Sequence, residues 1–189
     1  MSHQPTILAI WREHLRVAAL LELIAPEVDA AAKILIDRLL AGARLLACGN
    51  GGSAADAQHI AAELTGRFLR DRRPLSALAL HANGSSLTAV SNDYGYDHVF
   101  AREVQAHGRS GDVLLAISTS GRSKNVLLAM EAARAQGMAV IALTGANGGS
   151  SMQMLADVCL CVPSTDTPRI QELHAVVGHT LCELVENAL

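Results

Sequence analysis

A chain of 189 residues, half of them hydrophobic, has the length of one domain with a substantial core. The formal net charge of -3 argues against a general affinity for nucleic acid or acidic membranes, so any anion site must be local. Aromatic residues make up only 3% of the chain, so Ala, Leu and Val must fill the core. This composition favours helices packed on a parallel sheet over an aromatic-rich sandwich.

The cysteines and the first residues indicate the cellular compartment in which we expect the protein. Cys48, Cys159, Cys161 and Cys182 lie in apolar segments without a C-x-x-C pair, and we predict buried thiols in a reducing compartment. The first residues lack the basic and apolar regions of a secretion signal, and no run approaches the roughly 18 apolar residues of a membrane span. We therefore expect a cytoplasmic protein.

The first part of the chain is predicted to be helical. Apolar residues recur every three or four positions, and Pro26 separates two helices. Because these helices precede the first strand, they form either a cap over the sheet or an oligomer interface. We expect one domain, 1–189, with 1–41 as an N-terminal helical extension used for oligomerisation. The leucines that favour association are Leu20, Leu21 and Leu23.

Five short apolar runs then alternate with longer segments of helical period. Because the runs are continuously hydrophobic, the strands must be covered on both faces, which predicts an α/β fold with a parallel sheet. Such sheets bind ligands at the carboxyl ends of their strands. The predicted strands are 45–48, 77–80, 113–117, 140–143 and 158–162. The main helical segments are 53–68, 123–136 and 167–186.

A glycine-rich turn follows the first predicted strand and leads into a helix. Gly51 and Gly52 permit a tight turn, and Ser53 is predicted to cap the helix. The unpaired N–H groups of a helix N-terminus attract phosphate or carboxylate. Further along, His59 and Glu63 are four residues apart and share a helix face, where they suit a metal ion or proton transfer. The sequence therefore predicts a phosphate cradle beside a reactive pair.

A second polar loop follows the third predicted strand. Four hydroxyls surround one turn there, Gly121 lets the backbone approach a ligand, and Ser123 is placed to cap the next helix. Hydroxyls and helix N–H groups together bind phosphate without a lysine. A turn that merely caps a helix is the alternative, but two such loops at adjacent strand ends favour a phosphate site. The hydroxyls belong to Ser118, Thr119, Ser120 and Ser123.

The C-terminal helix carries a third group of candidates. Pro168 in its first turn, with Asp166 or the next residue as cap, marks its start. Gln171 and His179 are eight residues apart and so lie near one face. His174 is close to the same stripe, but a histidine on an apolar helix is more often a hydrogen-bonded core residue than a ligand.

Isomerisation of a phosphorylated sugar would use all three groups. The reaction moves a proton between C1 and C2 through an enediolate, and needs a base, an acid and a group that stabilises the oxyanion. Glu63 and His179 are the candidates for proton transfer. A divalent ion would stabilise the oxyanion, provided that the two helices converge at one end of the sheet, and the donor types suit zinc. The candidate ligands are His59, Glu63, Gln171 and His179.

Several segments carry a family resemblance. They are 48–59, 63–68, 91–96, 111–121 and 169–172, together with His179. With these motifs the chain closely resembles the sugar isomerase (SIS) domain family and, within it, the bacterial phosphoheptose isomerases. The glycine turn or the serine loop alone would indicate only a SIS-like phosphosugar domain.

The resemblance implies a fold, an activity and a site. The fold is a five-stranded parallel sheet flanked by helices, layered as in flavodoxin, in a homotetramer with active sites at subunit interfaces. The activity converts sedoheptulose 7-phosphate to D-glycero-D-manno-heptose 7-phosphate for the heptose of lipopolysaccharide, with one zinc ion per subunit. Glu63 would be the base, His179 its acid partner, and both would ligate zinc. The implied substrate contacts are Asn50, Gly51, Gly52, Ser53, Glu63, Asn92, Asp93, Ser118, Thr119, Ser120, Ser123, Asp166 and Gln171.

Two alternatives stay open. A related replication regulator binds the initiator protein DnaA without catalysis, and other SIS isomerases act on other phosphosugars. The regulator has non-catalytic residues at the positions of Glu63 and His179, so their presence here favours an enzyme. The segment 81–86 departs from the family's usual loop rich in Thr and Asp, and Ser85 or Ser86 is a possible further contact with the substrate.

Overall fold

Five parallel strands form the sheet in the computed structural model, which describes residues 2–189. The strands are β1 (Leu45–Gly49), β2 (Ala77–Ala79), β3 (Val113–Ile117), β4 (Ala139–Gly145) and β5 (Val158–Val162). Their order across the sheet is β2-β1-β3-β4-β5, and every neighbouring pair is parallel. Every residue of β1, β3 and β4 is buried, as expected of strands covered on both faces.

Eight α-helices surround the sheet among the described residues. They are α1 (Gln4–Ala18), α2 (Ala25–Leu40), α3 (Gly52–Thr65), α4 (Gly84–Tyr94), α5 (Val99–His107), α6 (Lys124–Ala135), α7 (Gly149–Leu155) and α8 (Thr167–Asn187). The predicted break near Pro26 is a 3-10 turn, Ala19–Ile24, and Pro26 lies in the first turn of α2. Proline suits this position because its fixed φ matches the helix and its missing N–H would be unpaired there.

Alternate residues of the central strands point into two separate cores. Leu45 and Val113 pack with α2, α3 and α8 on one face of the sheet, whereas Leu46 and Leu114 pack with α5, α6 and α7 on the other. Burying both faces removes a large apolar area from water, which is the main favourable term in folding. The predicted class, an α/β fold with a parallel sheet flanked by helices, is confirmed.

The predicted strands 113–117 and 158–162 are confirmed to the residue, whereas β2 is one residue shorter than predicted and β4 is longer at both ends. The prediction that Ser53 caps α3 is wrong. Gly51 occupies the cap position with a φ of 57°, and Ser53 is the second residue of the helix and buried. A positive φ is accessible to glycine at little cost, so the chain enters the helix before it reaches the serine.

The strand order brings the two predicted polar loops together. The chain moves outward from β1 to β2 and then returns to place β3 on the other side of β1, so the order reverses between β1 and β3. The carboxyl ends of those two strands carry the turn 49–53 and the loop 118–123. In doubly wound sheets the crevice at this reversal is the usual ligand site. The topology therefore brings both predicted polar loops to one place.

Helix α1 leaves large apolar side chains on the surface. Trp11 is 62% exposed and Leu15 is 65% exposed, and Leu23 in the following turn is similarly open. Leu21, in contrast, packs against the core. Within residues 2–189, no helix combines the length and the apolar character needed to cross a membrane. The predicted use of 1–41 in oligomerisation stays a prediction.

Candidate active site

Helices α3 and α8 bring three of the predicted residues into one cluster. His59 Nε2 lies 2.8 Å from His179 Nε2 and 3.5 Å from a carboxylate oxygen of Glu63. One donor atom from each of the three lies within 4.8 Å of the others. His59 and Glu63 are separated by one helical turn, whereas His179 comes from a helix that begins more than a hundred residues later. The predicted convergence of the two helices is confirmed.

The chemistry of this cluster favours a shared proton or cation. Two ring nitrogens can approach to 2.8 Å only if one of them carries a proton toward the other or if both face a cation. The neighbouring Glu63 carboxylate supplies a negative charge. Two imidazole nitrogens and one carboxylate oxygen form a set that zinc accepts in catalytic sites, where a further position stays open to water or substrate. The residues present therefore fit a zinc ion.

Phe68 stacks on this cluster, whereas Gln171, on α8, lies against the start of α3. The Phe68 ring stacks on the His179 ring with centroids 5.4 Å apart. Gln171 lies over Gly52, where an added methyl group would overlap its side-chain amide. Asp56 lies on α3 between Gly52 and His59, and burial raises the pKa of its carboxyl group. The Gln171 amide and His59 lower this pKa, but by less than burial raises it. The role of Gln171 as a metal ligand stays a prediction, and sequence reasoning missed both Phe68 and Asp56.

Contacts within the loop 118–123 and with Gly148 hold the loop in place. The hydroxyls of Ser118 and Ser123 are 3.0 Å apart, and Ser118 is buried. Gly121 adopts a φ of 64° and packs directly against Gly148, so any side chain there would overlap the neighbouring loop. Ser123 occupies the cap position of α6 as predicted, but its hydroxyl contacts Ser118 rather than a helix N–H group. The start of α6 is therefore not capped by its own serine.

A reciprocal amide pair joins the two loops. Asn50 Nδ2 donates to Asn125 Oδ1 at 2.9 Å, and Asn125 Nδ2 donates to Asn50 Oδ1 at 2.8 Å. The Tyr96 hydroxyl donates to the same Asn50 oxygen at 3.0 Å. Asn125 is buried and lies in the first turn of α6, so the pair ties the glycine turn to the serine loop. Asn125 and Tyr96 were both missed, although Tyr96 belongs to one of the resembling segments.

Three predicted sugar contacts lie outside this arrangement. Asn92 donates to Asp93 at 2.8 Å, and both side chains are exposed near the end of α4. Asp166 is exposed at the cap position of α8, as predicted, but its side chain makes no capping hydrogen bond. None of the three makes a hydrogen bond to the histidine cluster or to the serine loop within the described chain. Their contact with a sugar stays a prediction.

The sequence analysis also named Ser86 and His174, and the structure shows the surroundings of both. The Ser86 hydroxyl donates to the buried carboxylate of Glu103. His174 is fully buried, as expected of a core residue, and among residues 2–189 neither ring nitrogen has a hydrogen-bond partner at normal distance. Burial lowers the pKa of His174 to about 4, and the backbone of Thr144 opposes this only weakly.

The comparison with protein families gives the class. Residues 14–145 match the model of the SIS domain, so this is a SIS-domain protein, as the sheet order and the polar loops indicated. The phosphoheptose isomerase of Rhodospirillum rubrum is 60% identical over 165 residues, which cover 87% of each chain. That of Roseiflexus sp. is 54% identical over 169 residues, which cover 89% of this chain and 85% of the relative.

Solved structures agree with these relatives. Phosphoheptose isomerase from Neisseria gonorrhoeae superposes with a TM-score of 0.92 at 46% identity and covers 98% of this chain and 100% of its own. The enzyme from Francisella tularensis gives a TM-score of 0.94 at 37% identity, over 99% and 100% of the two chains. The chain therefore belongs to the phosphoheptose isomerase family.

Proposed function

We propose that the chain isomerises sedoheptulose 7-phosphate to D-glycero-D-manno-heptose 7-phosphate, on the route to the heptose of lipopolysaccharide. The observation that carries the proposal is the placement of Glu63 beside the His59–His179 pair. A base and an acid stand together, and the predicted phosphate loops follow β1 and β3 of the same chain. Family membership adds that several relatives of this length are named phosphoheptose isomerases.

The phosphate would be held at the two loops. Hydroxyl groups and the uncapped start of α6 offer hydrogen-bond donors and the positive end of a helix dipole, which together suit a dianion. Gly51 has open space beside its α-carbon, so a ligand can approach the start of α3 closely there. Holding the phosphate fixes the unreactive end of the sugar and directs its other end to the cluster. The proposed phosphate contacts are Ser53, Ser118, Thr119, Ser120 and Ser123.

Proton transfer would take place at the cluster. Glu63 removes a proton from C1 of the ketose, and return of the proton at C2 gives the aldose. His179 acts as the acid partner that moves a proton between the two oxygens of the enediolate. The 2.8 Å contact with His59 orients the His179 ring for this step. We place Asn50, Asn92, Asp93 and Asp166 as contacts to sugar hydroxyls.

One zinc ion per subunit would be held by His59, Glu63, Gln171 and His179. When bound, it would act as a Lewis acid for the oxyanion of the enediolate. The donor types and the 4.8 Å grouping of three of them support this assignment. Glu63 has two carboxylate oxygens, so a ligand role and a base role need not fall on the same atom.

We propose a homotetramer in which the exposed apolar residues of 1–41 become buried. Trp11, Leu15 and Leu23 are all largely exposed, and several large apolar side chains on one surface are typical of an interaction site. A groove between α2 and α8 is also apolar, and its lining includes Ile24, Val28, Val176 and Leu184. Light scattering at micromolar concentration should report four subunits, and a monomer would overturn the assembly.

A turnover assay on purified protein tests the activity. Sedoheptulose 7-phosphate should be isomerised faster than fructose 6-phosphate or ribulose 5-phosphate. Removal of zinc with a chelator should lower the rate, and zinc should restore it, while full activity in metal-free protein would exclude a catalytic role for the ion. Turnover of only a shorter sugar would assign a different SIS isomerase. No turnover of any phosphosugar with zinc present would overturn the proposal and favour the non-catalytic regulator.

A further inference from the structure

A buried ion pair links the two helices that carry the histidine cluster. Arg72 lies in the segment after α3, and Glu186 lies in the last turns of α8. Arg72 Nε is 3.3 Å from a carboxylate oxygen of Glu186. The Arg72 side chain is 7% exposed and that of Glu186 is 2% exposed. Burial of two opposite charges is costly unless further hydrogen bonds satisfy them, so their other contacts show what the pair does.

Arg72 donates hydrogen bonds to main-chain carbonyl groups at the end of α3. Its guanidinium donates to the main-chain oxygen of Glu63 at 2.7 Å and to that of Leu64 at 2.8 Å, with longer bonds to Gly66 and Arg73. The last carbonyl groups of a helix have no partner within the helix, and a cation is favourable beside them. One of these carbonyl groups belongs to Glu63 itself. Arg72 therefore fixes the backbone from which the proposed base projects.

Glu186 fixes the segment that follows. Its carboxylate accepts the N–H groups of Phe68, Leu69 and Arg70 at 3.1, 2.8 and 2.9 Å. Phe68 is the residue whose ring stacks on His179. Glu186 is seven residues after His179, two turns along the same face of α8. One carboxylate thus anchors both the aromatic partner of His179 and the arginine that holds Glu63.

We propose that Arg72 and Glu186 are positioning residues of the isomerase, which set the distance between Glu63 on α3 and His179 on α8. This inference rests on the proposed function, because it assigns the pair to the same proton-transfer step. Arg72 contacts the main chain of Glu63, but among residues 2–189 neither Arg72 nor Glu186 forms a hydrogen bond or ion pair with a side chain of the cluster. Their effect is carried by the Glu63 main chain and by the Phe68 ring.

The molecule offers a matched control for a purely structural role. Asp112 is also a buried carboxylate, it also lies beside an arginine, with Arg44 Nε at 3.5 Å, and it also accepts backbone N–H groups, those of Arg44 and Arg109. It immediately precedes β3, at the opposite end of the sheet from the polar loops. Replacing Asp112 therefore removes a similar anchor without touching α3 or α8.

The test compares Glu186→Gln with Asp112→Asn in the zinc-loaded full chain. Both variants should lose stability, which is followed by thermal unfolding so that the assays are run on folded protein. Glu186→Gln should lower kcat roughly 10- to 100-fold with KM within about twofold, because a small misplacement of reacting groups is costly while the phosphate loops are untouched. Asp112→Asn should keep kcat. Arg72→Lys should resemble Glu186→Gln, because an ammonium cannot reproduce the forked contacts of a guanidinium. Equal kcat in Glu186→Gln and Asp112→Asn would overturn the inference.

A second measurement does not depend on turnover. The ring current of Phe68 should shift the NMR signals of the His179 ring protons, and Phe68→Leu supplies the reference without it. In Glu186→Gln the signals should move toward that reference, whereas in Asp112→Asn they should stay. A wild type inactive on every phosphosugar would refute the proposed function, and an unchanged His179 spectrum in Glu186→Gln would refute the positioning pair.

Discussion

The two ends of the site are built differently. At the proposed phosphate end, side chains already pair within the chain, as the Ser118–Ser123 contact and the Asn50–Asn125 amides show. At the reactive end, His59 and His179 point their ring nitrogens at each other beside a carboxylate. The first end is formed by backbone turns at the carboxyl ends of β1 and β3, and the second by side chains from two helices.

This difference has a functional consequence. A cradle whose geometry is set by glycine turns and paired side chains is already organised for binding, so changes there should alter the affinity for phosphate and hence KM. The reactive end needs a proton or a cation between its donors, so changes there should alter the chemical step and hence kcat. Substitutions at the two ends should therefore separate in a plot of KM against kcat.

The largest effect is expected from Glu63→Gln. The amide keeps the size of the side chain but removes the basicity, so kcat should fall by roughly 10³-fold or more if Glu63 is the general base and metal ligand that we propose. KM should change little because the serine loop is intact. Steady-state kinetics on sedoheptulose 7-phosphate measure both constants. A variant with turnover near that of wild type would remove Glu63 as the base, and a large rise in KM alone would erase the contrast between the two ends.

The sheet could be predicted closely because its signals are local. Continuous apolar runs bounded by polar turns mark β3 and β5 to the residue. Coverage on both faces explains this for β3, whose residues are all buried, whereas β5 lies at the edge of the sheet and is only partly buried. The error at Ser53 has an equally local cause. Serine is a frequent cap, and nothing in the sequence states that Gly51 takes a positive φ and starts the helix first.

The site was only partly predictable because its contacts join distant residues. The spacing of His59 and Glu63 is visible within one helix, but their distance to His179 depends on how α8 packs across α3. The stack of Phe68 on His179 and the pair of Asn50 with Asn125 depend on the same tertiary packing. Asn125 looks in sequence like any polar residue in the first turn of a helix. Its partner can be identified only when the loops are brought together.

A smaller effect concerns His174, which lies on α8 between the two ends, against β4. Because burial lowers its pKa from 6.5 to about 4, the unfolded chain binds this proton more readily than the folded one. The stability that this difference contributes is complete above pH 6.5 and is lost as the pH falls toward 4, on the order of 3 kcal/mol in total.

His174→Gln should abolish that part of the pH dependence. Urea unfolding at several pH values between 4 and 7 measures it, as the change in the free energy of unfolding for each protein. His98→Gln, at an exposed histidine, is the control and should retain the wild-type slope. If His174→Gln loses as much stability on acidification as wild type, then another group is responsible.

The smallest predicted effect comes from a substitution in the serine loop, at the proposed phosphate end, and it tests whether that end affects KM alone. Gly121 has a φ of 64° and touches Gly148, so Gly121→Ala must shift both loops. Strain of this kind amounts to about 1 to 3 kcal/mol, and a displaced serine loop should raise KM about tenfold while kcat stays near wild type. Gly84→Ala is the matched control, because a methyl group there meets no atom within 4 Å and φ is not positive, and it should change neither constant. If Gly121→Ala instead lowered kcat at constant KM, the serine loop would have to act on the chemical step, and the division of the site into a binding end and a reactive end would be wrong.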